Sequence, residues 1–451
     1  MEFNGKKMVV LGAGISGIAV AGILQQLGAA VTLSDTKPAE NIKHDLAGVA
    51  AKGVTLALGN QDEALLVGTD YVVLSPGVSL YAPLVARAQA LGITVMSEIE
   101  VAYRLCQAPI VAITGTNGKT TTTTLIGEIL KAAGREVVVG GNIGLALSQE
   151  VKDISPAGVV VAEISSFQLE GVIDFKPHVA AILNLTPDHI DRHRTIETYR
   201  DMKERIFAKQ TGEDYLVLNY DDPAVRDMAA RANSQVVFFS RLKTLESGVF
   251  VQDGRITVRW LSDTVDICSV DSIKIKGAHN VENALAACGV AFFAGAKPAD
   301  MAEVLAAFPG VEHRIEPVAT VNGVTYYNDS KATNPESSNK ALEAFEGHII
   351  LIAGGRDKNT DLGEFMRLIK ERVDHLILLG EAAERFNQAA LAHGIKNIHR
   401  VNDFAGGVKL AHDLARPPQV VLLSPACASY DMFNNYEERG RVFKDLVRRL
   451  S

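Results

Sequence analysis

Pro109–Thr123 reads PIVAITGTNGKTTTT, an apolar β-branched run that turns through small polar residues into a threonine-rich stretch. The run predicts a buried strand and the threonines the start of a helix, so Thr114-Gly115-Thr116-Asn117-Gly118-Lys119-Thr120-Thr121 falls on the connecting loop. Small residues let backbone N–H groups curl around phosphate oxygens. Lys119 adds a point charge, and the Thr120 hydroxyl can reach Mg²⁺. This is ATP-binding chemistry, although Ile113 stands where the general GxxxxGK[ST] pattern has its first glycine.

Outward from this loop, three blocks alternate short β-branched runs with helical stretches, the pattern of α/β domains with parallel sheets. In the first, MVVLGAG, AAVTLSD and YVVLSPG are strands, and the stretch after Ile15 is helical, a Rossmann-like βαβ start. The second, a central P-loop ATPase-type parallel sheet domain, carries strands at VVVAEIS and VAAILNL, several short extended runs from Asp214 to Ser272, and a helix from about His279. The third, Rossmann-like again, follows FPGVEHR with HIILIAGG, HLILLG and QVVLLSP. Boundaries near residues 97 and 310 predict domains 1–97, 98–310 and 311–451.

The 451 residues suit about three domains of ordinary size. A formal net charge of −8, with no basic block, argues against nucleic-acid or membrane-surface binding. Cys106, Cys268, Cys288 and Cys427 form no CxxC pair, so neither zinc nor a disulfide framework is indicated, and a reducing cytoplasm fits. The longest apolar stretch, Ala284 to Ala296, is too short to span a bilayer, and the N-terminal apolar run leads into a glycine turn as a first strand, not a signal peptide.

Glu163 ends the run VVVAE, where an unpaired carboxylate serving packing alone would be costly, and His189 follows the next strand, so both suit the edge of a metal-nucleotide site. Each has a plain alternative: Glu163 as a helix N-terminal charge, His189 as a capped loop histidine. Gly12-Ala13-Gly14-Ile15-Ser16-Gly17 satisfies GxGxxG with Asp35 at the end of the second strand, which read alone indicates NAD and an oxidoreductase.

Taken together and in order, TGTNGKTTT, AEISSFQLE, NLTPDHIDRH, KGAHNVENALAA, FPGVEHRIE and DSKATNP resemble the Mur ligase family. Within it LGAGISG with DTK and SPG, YRDMK, DSKATN and SPACASYDMFNNYEERG point to the branch that adds D-glutamate to UDP-N-acetylmuramoyl-L-alanine. The resemblance implies a cytoplasmic, monomeric, three-domain ATP-dependent ligase that phosphorylates a substrate carboxylate and lets an amine attack the acyl phosphate. Its implied partners are small molecules only.

Residue by residue, the resemblance implies that Gly115 to Thr121 hold ATP phosphates. Thr120, Glu163, His189 and Lys203 surround Mg²⁺, with Lys203 as a CO₂-derived carbamate. Read without the resemblance, Lys203 is an exposed helical lysine. Asn280 and Asn283 would receive adenine, Asn280 having helix capping as its alternative. His313, Arg314, Asp329 and Lys331 would reach ribose and phosphates, Lys331 also serving catalysis. Lys331, Thr333, Lys358, Ser429 and Tyr436 would form the D-glutamate pocket, though Lys358 sits in a polar loop that could simply be solvated. In the first domain Gly14, Ile15, Ser16, Asp35, Thr36, Lys37, Ser75, Pro76 and Gly77, with Asn142, would hold the UDP substrate rather than NAD. Competing readings are an NAD-dependent oxidoreductase, a non-catalytic nucleotide-binding regulator and a folylpolyglutamate synthetase, the last disfavoured by the UDP-type first domain.

Overall fold

The apolar runs become three sheets in a computed structural model that describes residues 2–42, 44–275, 277–357 and 359–450. By compactness the chain divides into two units, Met1–Ile273 with Glu282–Ala307 and Lys274–Val281 with Phe308–Ser451. The first unit carries two sheets and the second carries one.

The first sheet is wholly parallel, in the order Thr55–Leu58, Ala30–Asp35, Lys7–Leu11, Tyr71–Leu74, Thr94–Ser97. Its side chains alternate between two buried faces: Met8, Val10, Leu33 and Val73 enter one core, and Val9, Leu11, Val72 and Leu74 the other. Chain order reverses direction between Lys7–Leu11 and Tyr71–Leu74, so the loops after these two strands flank a crevice of the kind that binds ligands in open α/β sheets.

The second sheet has nine strands, and its centre, Val159–Glu163 beside Ile110–Thr114 beside Val179–Ile182, is parallel and buried throughout. The predicted parallel character ends at one edge. Gly248–Gln252, Arg255–Trp260 and Asp263–Ser269 run antiparallel, because two-residue connections cannot make a parallel crossover. The first connection, Asp253-Gly254, has positive φ at both residues (49° and 72°), as a tight hairpin turn requires.

The third sheet runs Glu316–Val321, Val324–Asn328, Val420–Leu423, Ile349–Gly354, Val373–Leu379, Ile398–Arg400, with only its first pair antiparallel. That pair turns at Asn322-Gly323, again with positive φ at both. Val420–Leu423, late in sequence, enters between strands formed much earlier, so the loop after Asn328 meets the loop after Leu423. Among the described residues no helix is long and apolar enough to cross a membrane.

Candidate active site

The phosphate loop leaves Ile110–Thr114 and enters the helix Lys119–Ala132 through Gly118, whose φ is 85°. A Cβ at Gly118 would lie 2.3 Å from Asn283 Oδ1, so both conformation and space require glycine there. Asn283 Oδ1 also accepts from Thr122 Oγ1 at 3.3 Å. The side chain of Asn184 braces the loop tip from the next strand's end: its Oδ1 accepts from Asn117 N at 2.8 Å and its Nδ2 donates to Asn117 O at 3.0 Å. Thr116 Oγ1 lies 3.3 Å from Tyr199 Oη and donates to Thr186 O. Lys119 Nζ donates to the carbonyls of Gly115 and Thr116 at 2.9 and 2.8 Å. The sequence pattern revealed the loop but not its braces Asn184 and Tyr199. Asn184 lies inside the NLTPDHIDRH segment, where its position after a strand was the available signal.

Glu163 is the last residue of Val159–Glu163 and pairs in register with Ile113, directly before the loop. Its side chain is buried, Oε1 accepts from Asn142 Nδ2 at 2.8 Å, and Oε2 has no hydrogen-bond partner. Asn142, expected at the UDP substrate, thus has its amide on this carboxylate.

Lys203 is buried, which rules out its plain alternative, an exposed helical lysine. It is 1% exposed, in the helix Ile196–Glu204, and Nζ donates to Gly115 O at 2.8 Å. Burial first, and the nearby Lys119 charge second, push its pKa well below the ordinary lysine value, with Asp188 opposing. His189 stands at the start of the short helix Ile190–His193 with φ 54°. Its ring meets Phe167 edge-on, 4.7 Å between centroids.

In the first sheet, a Cβ at Gly12 would lie 2.8 Å from Ser75 Cβ, and one at Gly17 would lie 1.8 Å from Gly12 O. The glycine loop and the Ser75-Pro76-Gly77 loop are therefore in direct contact. Gly14 precedes the helix Ile15–Gln26, with Ile15 61% exposed at its first turn beside Ser16. The Asp35 carboxylate is engaged by backbone, accepting from Ala13 N at 2.8 Å and Lys37 N at 2.9 Å across the exposed Thr36. It fixes two loops.

In the second unit, Asp329 is fully buried, accepting from Ser424 Oγ at 2.8 Å and Ile315 N at 3.2 Å. Burial raises its pKa to about 6, against the pull of Arg314. His313 is buried with Nδ1 2.9 Å from Asn328 Nδ2, and burial lowers its pKa. Lys331 Nζ lies 5.5 Å from the Tyr436 ring centroid. Thr333 N donates to Lys331 O, and buried Ser429 carries the carbonyl that accepts from Met432 N and Phe433 N. Asn280, also in this unit, is buried, and its N–H bonds Gly277 O. Lys358 lies outside the described residues.

Arg439 was missed. It is 1% exposed and donates Nε to Ser330 Oγ, Nη2 to Ser330 O and Nη1 to Cys427 O, locking the loop of Asp329 and Lys331 to the loop of Ser429. Burial lowers its pKa to about 10. Glu312, His313 and Glu316 form the cluster of metal-ligand type among the described residues, but Lys444 Nζ already bonds both carboxylates at 2.5 and 3.0 Å.

The family profile described as the Mur ligase middle domain matches residues 113–291, that of the Mur ligase glutamate ligase domain matches 313–427, and that of the Mur ligase MurD-like N-terminal domain matches 6–97. The chain belongs to the Mur ligase family. Each matched region overlies one of the three sheets of this three-domain α/β fold. Among Mur ligases, the UDP-N-acetylmuramoylalanine–D-glutamate ligase of Pelotomaculum thermopropionicum is 48% identical over 99% of this chain and 98% of its own. The protein of that name from a Thermoanaerobacter species is 45% identical over the full length of both. Of solved Mur ligase structures, UDP-N-acetylmuramate-alanine ligase from Thermotoga maritima aligns with a TM-score of 0.61 at 20% identity, covering 99% of this chain and 100% of that one. MurF from Acinetobacter baumannii aligns at 0.62 and 17%, covering 99% and 91%. At these identities the two structures speak for the fold alone.

Proposed function

We propose that this Mur ligase joins D-glutamate to UDP-N-acetylmuramoyl-L-alanine with ATP, as a cytoplasmic, monomeric enzyme of peptidoglycan precursor synthesis. The observation that carries this reading is the full-length identity to relatives bearing the D-glutamate ligase name. We assign the domains to residues 1–97 for the UDP substrate, 98–310 for ATP and 311–451 for the amino acid.

A carboxylate is a poor electrophile. The substrate carboxylate oxygen attacks the γ-phosphorus and ADP departs; the D-glutamate amine then attacks the acyl carbon, and the amide forms as phosphate leaves. Lys119 and the N–H groups of Gly115 to Thr121 hold the phosphates and offset the charge that accumulates on them. Mg²⁺ fits the residues present, because the buried Glu163 Oε2 has no hydrogen-bond partner and stands at the strand end beside the phosphate loop. Thr120, Glu163, His189 and Lys203 are the groups to hold it, and it would supply further neutralisation of phosphate charge.

Carbamylation of Lys203 joins its neutral amine to CO₂ with loss of a proton. The depressed pKa favours the neutral amine that this step needs. Asn280 and Asn283 offer amide donors and acceptors to adenine. Arg314 and Asp329 address the ribose and phosphates. Lys331, Thr333, Lys358, Ser429 and Tyr436 receive the dicarboxylate, and Gly14, Ile15, Ser16, Asp35, Thr36, Lys37, Ser75, Pro76, Gly77 and Asn142 receive the UDP portion.

The deciding experiment is an ADP-release assay with each substrate omitted in turn and D-glutamate replaced by L-glutamate, L-lysine or D-alanine. Release should require both UDP-N-acetylmuramoyl-L-alanine and D-glutamate. Release without the amino acid or without the precursor would overturn the reading.

A further inference from the structure

Arg192 belongs to the short helix Ile190–His193 that follows His189. Its guanidinium is 13% exposed and engages Glu170, itself 5% exposed, as a fork: Nε donates to Oε1 at 2.9 Å and Nη2 to Oε2 at 2.6 Å. The outer donors leave this sheet's neighbourhood for the first one. Nη1 donates to Pro76 O at 2.8 Å, and Nη2 donates also to Val78 O at 2.8 Å. The guanidinium carbon lies 4.2 Å above the centroid of Phe167, the ring that His189 meets edge-on. Two residues on, Arg194 stacks on Tyr81 at 4.2 Å, a second grip on the chain after Tyr71–Leu74.

A salt bridge kept only for stability needs the carboxylate alone. Here one rigid planar fork satisfies a carboxylate and two carbonyls at once, which lysine cannot reproduce. The carbonyls belong to the Pro76–Val78 turn, packed so closely on the glycine loop that Gly12 has no room for a Cβ. Arg192 thus touches both that turn and the Phe167 ring that His189 meets, a continuous path of contacts from one loop to the other.

We propose that Arg192 is a positioning residue that couples occupancy of the UDP-substrate loop to the placement of His189, so that filling one site tightens the metal-nucleotide site. The inference rests on the ligase reading for the identity of both sites. Linkage makes the effect reciprocal, and a coupling of about fivefold or more is ordinary for such an arrangement.

The test is calorimetric, on the full chain: Mg²⁺–ADP binding with and without saturating UDP-N-acetylmuramoyl-L-alanine, for wild type and Arg192→Lys. We expect the precursor to tighten Mg²⁺–ADP binding in wild type. In Arg192→Lys the ratio of Mg²⁺–ADP affinities with and without precursor should fall towards one, whatever the affinity in the absence of precursor. Should the lysine variant not fold, Phe167→Leu keeps the fork and carbonyl bonds while removing the shared ring, and should lose most of the coupling. No coupling in wild type, or full coupling in the folded variants, would overturn the proposal. Because binding is read without turnover, these outcomes are distinct from an absence of ADP release, which would instead overturn the ligase reading.

Discussion

The side-chain nitrogens of Lys119 and Lys203 converge on one carbonyl oxygen, that of Gly115, at 2.9 and 2.8 Å. One comes from the helix that the phosphate loop opens and the other from a helix about eighty residues later. Burial first, and the repulsion of the neighbouring Lys119 charge second, push the Lys203 pKa well below the ordinary lysine value.

Lys119→Ala should cut ADP release by about two to three orders of magnitude, the scale of removing one donor aimed at developing charge. UDP-precursor binding, measured by calorimetry, should persist. Undiminished amide synthesis in this variant would contradict the role assigned to the loop.

Lys203 should carry the mass of one CO₂ in the native protein, and activity should fall when bicarbonate is stripped from the buffer and return when it is restored. Native mass spectrometry with paired assays checks this. An active enzyme whose Lys203 is unmodified would dismiss the carbamate.

Asp329 should make stability depend on pH in a direction unusual for a carboxylate. Its folded pKa, about 6, exceeds the ordinary value of 3.8, so the folded state holds the extra proton between these values and stability falls as pH rises through that window. The loss is on the order of 2 to 3 kcal/mol, complete above about pH 6. In Asp329→Asn the part of the pH profile of urea unfolding between about pH 4 and 6 should flatten, and an unchanged slope there would show that the carboxyl titrates normally.

Arg439→Met should destabilise the second unit by about 1 to 3 kcal/mol, because Ser330 O, Ser330 Oγ and Cys427 O lose their donors inside the protein. Urea unfolding measures the loss, and KM for D-glutamate should rise with it, since Lys331 and Ser429 are held by the same two loops. A variant with wild-type stability and KM would refute the clamp.

Gly17→Ala should fail at the UDP site more than elsewhere. The added Cβ would sit 1.8 Å from Gly12 O, so the glycine loop must shift, at about 1 to 3 kcal/mol of strain. Weaker binding of the UDP substrate, with a smaller change in Mg²⁺–ADP affinity measured without the precursor, is the expected pattern; a loss of the unfolding transition would instead show that the whole domain had failed to fold.

The sequence by itself determined the α/β class, the strand before each functional loop and the phosphate loop, because these follow from local periodicity and from residues whose chemistry works through backbone within a few positions. It also carried the Asp253-Gly254 and Asn322-Gly323 hairpin turns that make two sheet edges antiparallel, where periodicity alone implies parallel sheets. What folding alone supplied is burial and long-range pairing. Nothing near Lys203 in the chain says that it is enclosed and aimed at Gly115, nor that Arg439 reaches Ser330 from 109 positions away, nor that Arg192 holds Pro76 from 116 positions away. Those relations arise where distant loops meet at strand ends, and a side chain's charge state is set by the neighbours it meets there rather than by those beside it in sequence.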